Sequence, residues 1–288
     1  MRLHLCGVRG STPAPGPDFV RYGGNTSCVA IARDGADPTV LLDAGTGLTR
    51  VTRLLGGRPF RGTILLGHLH WDHTQGLPFF LSGDQDHAVV RLLLPAQEGG
   101  TAEELLGRGM SPPHFPIRPS ELRGNWSFDH VQEGDHEIEG FEVHAREIPH
   151  KGGRTFGYRV SDSEHTVAYL SDHSPGSRGD GPAGFGPYHE AALALASDAD
   201  VLIHDAQYTA KEYPGRRTFG HSTVDYAVGL ADAAGVSRVV LFHHDPSRTD
   251  DELDQIARSL SSSSVDVTVA CEEQTIRLAA GSSVLGPS

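Results

Sequence analysis

Long apolar runs are missing from this chain: its 288 residues hold no stretch of 18 or more, so no membrane-spanning helix is expected. Lysine is nearly absent. Lys151 and Lys211 stand alone, and arginine supplies the other 22 positive side chains. No basic run is available to track a phosphate backbone, and the formal net charge is −13, so no extended nucleic-acid surface is expected. Cysteine is scarce. Cys6, Cys28 and Cys271 are isolated, odd in number and without a C-x-x-C pair. That argues against a disulfide framework and a thiolate-bound metal, and for buried free thiols in a reducing compartment. Residues 1–8 are too short, and broken by Gly7, to read as a signal peptide. They read as a first strand, and the expected location is cytoplasmic.

What the chain has in quantity is glycine (35) and proline (18), which suits many loops carrying functional residues. Apolar runs that read as strands occur at 2–8, 28–33, 39–43, 63–67 and 89–94. A helical stretch at 102–110 follows, then a loop-rich region at 111–133. Strands resume at 136–149, 155–161 and 165–171, before a Gly/Pro-rich loop at 174–187. Helix, strand, helix, strand and helix alternate over 189–260, and short strands near 265–270 and 275–279 finish the chain. The pattern gives two similar halves. The fold class is α/β, an αββα sandwich of two mixed sheets with helices on the outer faces. No linker or low-complexity segment interrupts it, so residues 1–288 are expected to form one domain.

The chemistry is concentrated at His68-Leu69-His70-Trp71-Asp72-His73, directly after the strand at 63–67. Side chains two apart on an extended chain share a face, so His68 and His70 can point together. Asp72 and His73 fall on the following turn and can face a second point. The chain has 17 histidines, so some clustering is expected by chance. Four N/O ligands in six positions, just past a buried strand, suit Zn²⁺, Mn²⁺ or Fe far better than chance clustering.

This segment resembles the H-x-H-x-D-H signature of the metallo-β-lactamase-fold hydrolases. Further polar residues follow apolar runs in the order that family uses: His150, Asp172 and His243. The resemblance spans residues 7–278. It implies that His68, His70 and His150 hold one divalent ion, that Asp72, His73 and His243 hold a second, and that Asp172 bridges them. Zn and Mn are the expected metals. His244 competes with His243 by sequence, but the first histidine of the pair matches the family position. Two metals about 3.5–4 Å apart can share a water and lower its pKa from 15.7 towards roughly 7, which makes a nucleophile at neutral pH. Asp43 matches a position that orients a ligand histidine through its other N–H, with a plain turn residue as the alternative.

Two further features bear on substrate. Gly220-His221-Ser222-Thr223 opens a helical stretch, with Ser222 as N-cap candidate, and Val201-Leu202-Ile203-His204-Asp205 lies upstream. The pairing is similar to the phosphodiesterase branch of the fold, which includes the tRNA 3′-processing endonucleases. By that resemblance His221 is the general acid and Asp205 its orienter, in a catalytic set with Asp72. That branch usually carries glutamate where this chain has Asp205. Asn25 and Thr26, in a glycine-containing loop of bacterial phosphodiesterase type, either donate to a phosphate or fix the loop. His173 is a neighbour of the site and a candidate substrate contact.

The processing endonucleases carry a projecting arm between the ligands that correspond to His150 and Asp172, whereas only 21 residues separate them here. The expected function is a phosphodiesterase acting on a small or cyclic phosphodiester. The alternatives are a tRNA 3′-processing endoribonuclease, a hydrolase of lactones, thioesters or lactams, and a metal-binding protein without catalysis. Family members are often dimers, so a homodimer is an expected assembly.

Overall fold

The structure, a computed structural model, describes residues 1–278. The chain order is β1 (Arg2–Gly7), β2 (Cys28–Ala32), β3 (Val40–Leu42), α1 (Leu48–Leu54), β4 (Arg61–Leu65), β5 (Val89–Pro95), α2 (Ala102–Gly107) and β6 (Asn125–Val131). There follow β7 (Gly134–Ile138), β8 (Phe141–Ile148), β9 (Thr155–Ser161), β10 (Thr166–Leu170), α3 (Glu190–Ala196), β11 (Val201–Asp205) and α4 (Tyr213–Arg216). The last elements are α5 (Val224–Ala233), β12 (Arg238–Phe242), α6 (Asp250–Ser259), β13 (Asp266–Val269) and β14 (Thr275–Arg277).

Two seven-stranded sheets result, in the orders β14-β1-β2-β3-β4-β5-β6 and β13-β12-β11-β10-β9-β8-β7. Each sheet is antiparallel over one half and parallel over the other. The parallel runs are β3 to β6 and β10 to β13. The two halves foreseen from the sequence are thus the two sheets, except that β14 returns to pair with β1.

Side-chain alternation along the strands builds three apolar layers. Leu65, Val143, Tyr158, Ile203 and Phe242 face the space between the sheets. Ile64 and Leu66 face the other way, onto Leu48 and Val51 of α1. Leu202 and Leu241 likewise cover Leu195 of α3 and Leu230 of α5. Helices therefore lie on both outer faces, as expected. Each such side chain stabilises the fold by about 1.5–3 kcal/mol relative to exposure.

Four local expectations change. Within the region read as loop at 111–133, residues of β6 pair in parallel with β5. This edge strand carries only Trp126 and Phe128 as large apolar residues, which stack at 5.8 Å, so its apolar signal is weak. The run at 136–149 is a hairpin, β7 and β8, beginning at Gly134. Glu139 and Gly140 both take positive φ (54° and 74°), the backbone of a tight two-residue turn. Helix α1, absent from the sequence reading, is short and has no side-chain N-cap. The N-cap of α5 is Thr223 rather than Ser222, with Tyr226 N–H donating to its hydroxyl at 3.0 Å. Residue 279 of the expected last strand lies outside the described residues. Among the described residues no helix is long and apolar enough to cross a membrane.

Candidate metal centre and cleft

The carboxyl ends of parallel strands meet at one rim of the sandwich, where open α/β sheets commonly bind ligands. Strand β3 ends before Asp43, β4 before the 68–73 segment, β10 before Asp172, and β12 before His243, while β11 ends on Asp205. Strand β8 delivers His150 to the same rim. Two of these residues leave their strand in the left-handed region, Asp43 at φ 61° and His243 at φ 59°. Such backbone is costly for non-glycine residues and clusters at functional sites.

Two groups of ligand atoms form around Asp172. His68, His70, His150 and Asp172 make the first; Asp72, His73, Asp172 and His243 make the second. Asp172 Oδ2 lies 3.7 Å from His68 Nε2 and 3.4 Å from His150 Nε2. Its Oδ1 lies 2.9 Å from His73 Nε2 and 3.1 Å from His243 Nε2. One carboxylate thus turns one oxygen to each cluster. Asp72 Oδ2 stands 3.1 Å from His243 Nε2 and accepts the Ser11 N–H at 2.6 Å. His244 points elsewhere, its Nε2 donating to the Ala270 carbonyl at 2.9 Å.

The residues present fit divalent metal. His68 Nε2, His73 Nε2 and Asp172 Oδ2 are buried without a hydrogen-bond partner. Each unmade partnership costs about 1–3 kcal/mol, more for a charged group, and three such atoms converge here. The surrounding groups keep the ligating nitrogens aimed. Asp43 Oδ2 accepts from His73 Nδ1 and from the Tyr169 hydroxyl, both at 2.7 Å, while its Oδ1 accepts the Gly67 N–H at 2.7 Å. His150 Nδ1 donates to the Gly220 carbonyl at 2.7 Å. His243 Nδ1 meets Gln207 Oε1 at 3.2 Å. Asp43→Asn is therefore expected to weaken metal binding about 10–100-fold while the fold persists, as read by competition with a chromophoric chelator.

Glycine is required at two close approaches. A Cβ on Gly220, whose φ is 101°, would stand 3.2 Å from His150 Cε1. A Cβ on Gly10 would lie 2.3 Å from His243 Nδ1. The sequence reading foresaw neither close approach, nor the contacts of Gln207 and Tyr169, because the partners lie far away in sequence.

The carboxylates of the site favour positive charge on the groups that face them. Burial lowers the pKa of His73, but Asp172, Asp72 and Asp43 outweigh it and push it well above the ordinary value. Burial also opposes charge on His243, yet Asp172, Asp72 and Asp205 raise it to about 9. Burial raises Asp172, but the facing His243, His73, His68 and His150 hold it well below the carboxylate range. Burial and the neighbouring His73 push His68 down. Metal binding to His73 and His243 is therefore expected to displace protons. Affinity is expected to rise with pH as these imidazoles lose their protons, His243 at about 9. Calorimetry in buffers of different ionisation enthalpy checks this, and binding without proton release would contradict it.

His221 lines a cleft of about 510 Å³ together with His70, Trp71, Asp72, His150 and Asp172. Its Nδ1 lies 3.1 Å from Asp205 Oδ2 and 3.7 Å from Asp172 Oδ2. Backbone N–H groups of His173, Ser222 and Gln207 donate to the Asp205 carboxylate at 3.1, 3.2 and 3.0 Å. A larger concavity, about 820 Å³ over β7 to β9, touches neither ligand cluster and takes no part in this chemistry.

Three sequence candidates lie away from the cleft. His173 is fully buried, packed against His189, His204 and Tyr226 rather than facing the cleft. It stands between His204 (2.9 Å) and His189 (2.7 Å) in a row of histidines. Asn25 Nδ2 donates to Glu272 Oε2 at 3.0 Å. The Thr26 hydroxyl accepts the Thr46 N–H at 2.9 Å. Both fix the loop that precedes β2, the second of the two roles expected for them.

Paired mixed sheets, outer helices and two His/Asp clusters sharing one aspartate define a metal-dependent hydrolase of the metallo-β-lactamase fold. The profile of the beta-lactamase superfamily domain matches residues 39–244, and the chain belongs to that family. It is 25% identical over 280 residues to the ribonuclease Z of Haloarcula marismortui, covering 84% of this chain and 86% of that one. In fold it is similar to the metallo-beta-lactamase fold protein YhfI of Bacillus subtilis (TM-score 0.69, 16% identity, 96% of this chain and 99% of that). It is also similar to human tRNase Z, short form (TM-score 0.66, 21% identity, 97% and 100%).

Proposed function

We propose that this protein is a phosphodiester hydrolase whose general acid is His221. The observation that carries the reading is the buried Asp205–His221 contact of 3.1 Å on the wall of the metal cleft. A carbonyl hydrolase has no obvious use for that pair. His68, His70 and His150 would hold one metal, Asp72, His73 and His243 the other, with Asp172 shared. When bound, such ions activate a water and take up charge on a phosphoryl group. Asp205 holds His221 through Nδ1, which leaves Nε2 to bind a phosphate oxygen and then protonate the leaving oxygen. Zn and Mn both suit this all-N/O donor set.

The ribonuclease Z relatives favour RNA as substrate, in the manner of the tRNA 3′-processing endonucleases. A small phosphodiester is the second reading. It is favoured by the 151–171 segment, where β9 and β10 are joined through Asp162 and His165 with no projecting arm between His150 and Asp172. A cytoplasmic location and a single domain belong to both readings. Metal-loaded protein is expected to hydrolyse bis-p-nitrophenyl phosphate and to leave nitrocefin intact. Cleavage of a precursor tRNA on a gel separates the two substrates. Turnover of nitrocefin without phosphodiester cleavage would overturn the proposal.

A further inference from the structure

The cleft does not end at His221. A second arm, also about 510 Å³, runs on from it past Tyr208, Arg216, Asp245 and Ser247. The two arms share Ser11, Lys151, Phe219 and His221. The group in the acid position thus stands at a junction, with room on each side. A small cyclic ester needs only one of these spaces, whereas a linear diester carries a substituent on each side of phosphorus.

The junction has aromatic walls left open to solvent. Trp71 is 72% exposed and Phe219 57% exposed, and both line the arm that holds His70, His150 and Asp172. Large aromatic surface is seldom left in water beside a polar site without a ligand to cover it. Both residues adjoin the centre along the chain. Trp71 lies between the ligand candidates His70 and Asp72, and Phe219 precedes Gly220, whose carbonyl accepts from His150 Nδ1 at 2.7 Å. A planar ring stacked there would be fixed relative to the phosphorus. Lys151, whose Nζ donates to the Thr218 carbonyl at 3.3 Å, adds a cation at the same junction. In the second arm Arg216 lies over the Tyr208 ring at 5.4 Å and pairs with Asp245 at 2.8 Å.

We propose that Trp71 and Phe219 form an aromatic subsite that stacks the base of a nucleotide next to the scissile phosphate, the rest of a linear diester lying in the Tyr208–Arg216 arm. This inference rests on the phosphodiesterase reading and adds the subsite that would hold the base. Stacking on exposed aromatic groups is tolerant of base identity, so the subsite selects a planar ring rather than one base.

The chain has two tryptophans, Trp71 and Trp126, so Trp126→Phe leaves Trp71 as the sole reporter. Trp126 stacks on Phe128 in an edge strand, outside the cleft. In metal-loaded Trp126→Phe protein, AMP is expected to quench the remaining fluorescence and to bind about tenfold more tightly than ribose 5-phosphate. Phe219→Ala and Trp71→Leu should remove that preference at unchanged metal content, and Trp71→Phe should retain it. A 3′,5′-linked diadenosine monophosphate should inhibit bis-p-nitrophenyl phosphate hydrolysis more strongly than cyclic AMP. Equal binding of AMP and ribose 5-phosphate, or a preference that survives both ring deletions, overturns the subsite. Stronger inhibition by cyclic AMP overturns the linear substrate. Those results leave the phosphodiesterase reading standing, because turnover of bis-p-nitrophenyl phosphate is measured separately.

Discussion

Asp172→Ala is expected to abolish binding of a metal pair and to lower phosphodiester turnover by about a thousandfold or more. Several kcal/mol of transition-state charge stabilisation come from bound metal in such sites, at about 1.36 kcal/mol per tenfold in rate. Among the described residues no other side chain belongs to both His/Asp clusters. Asp172 turns Oδ1 to His73 and His243, and Oδ2 to His68 and His150. Its removal leaves four imidazoles facing one another without the carboxylate that draws them together. Asp172→Asn tests the charge with the shape kept. It retains one oxygen, so it should hold at most one ion tightly. Metal analysis after gel filtration, with circular dichroism as a control for folding, decides the matter. Two equivalents of metal retained by Asp172→Asn, with turnover near that of the unaltered protein, would remove Asp172 from its shared position.

The sandwich was legible because its buried strands are continuous apolar runs bounded by glycine, proline and charge. The seven proposed ligands were legible because their spacing after strands is dense and the resemblance supplies their order. The structure gathers all seven at one rim. What escaped the sequence was set by contacts distant along the chain. Gly10 must be small because His243 passes over it, more than two hundred residues later. Tyr169 reaches Asp43 across the space between sheets. The hairpin at Glu139-Gly140 was hidden within a long polar–apolar alternation, since a two-residue turn hardly interrupts it. His173 misled because the groups that enclose it, His189, His204 and Tyr226, come later in the chain and turn it away from the cleft. Substrate size was the least legible property: the gap between His150 and Asp172 argues for a small ester, while the relatives and the two-armed cleft argue for a larger one.

His221→Ala is expected to keep the metals and lose about 10²–10⁴-fold in turnover of diesters with poor leaving groups, the range for a positioned general acid. The residue is 8% exposed, sits on the cleft wall and is not among the seven proposed ligands. The loss should shrink for bis-p-nitrophenyl phosphate, because nitrophenolate leaves without protonation. A graded series of leaving groups therefore distinguishes proton donation from general damage: a steeper dependence on leaving-group basicity marks the missing acid. Asp205→Asn is expected to act through the same group, since the Asp205 carboxylate holds His221 Nδ1 at 3.1 Å. The double variant should then be little slower than His221→Ala, because residues that work as a unit do not add. Fully additive losses would separate Asp205 from His221. An equal loss for every leaving group would make His221 a binding or structural residue, and the source of the proton would have to be sought elsewhere in the cleft.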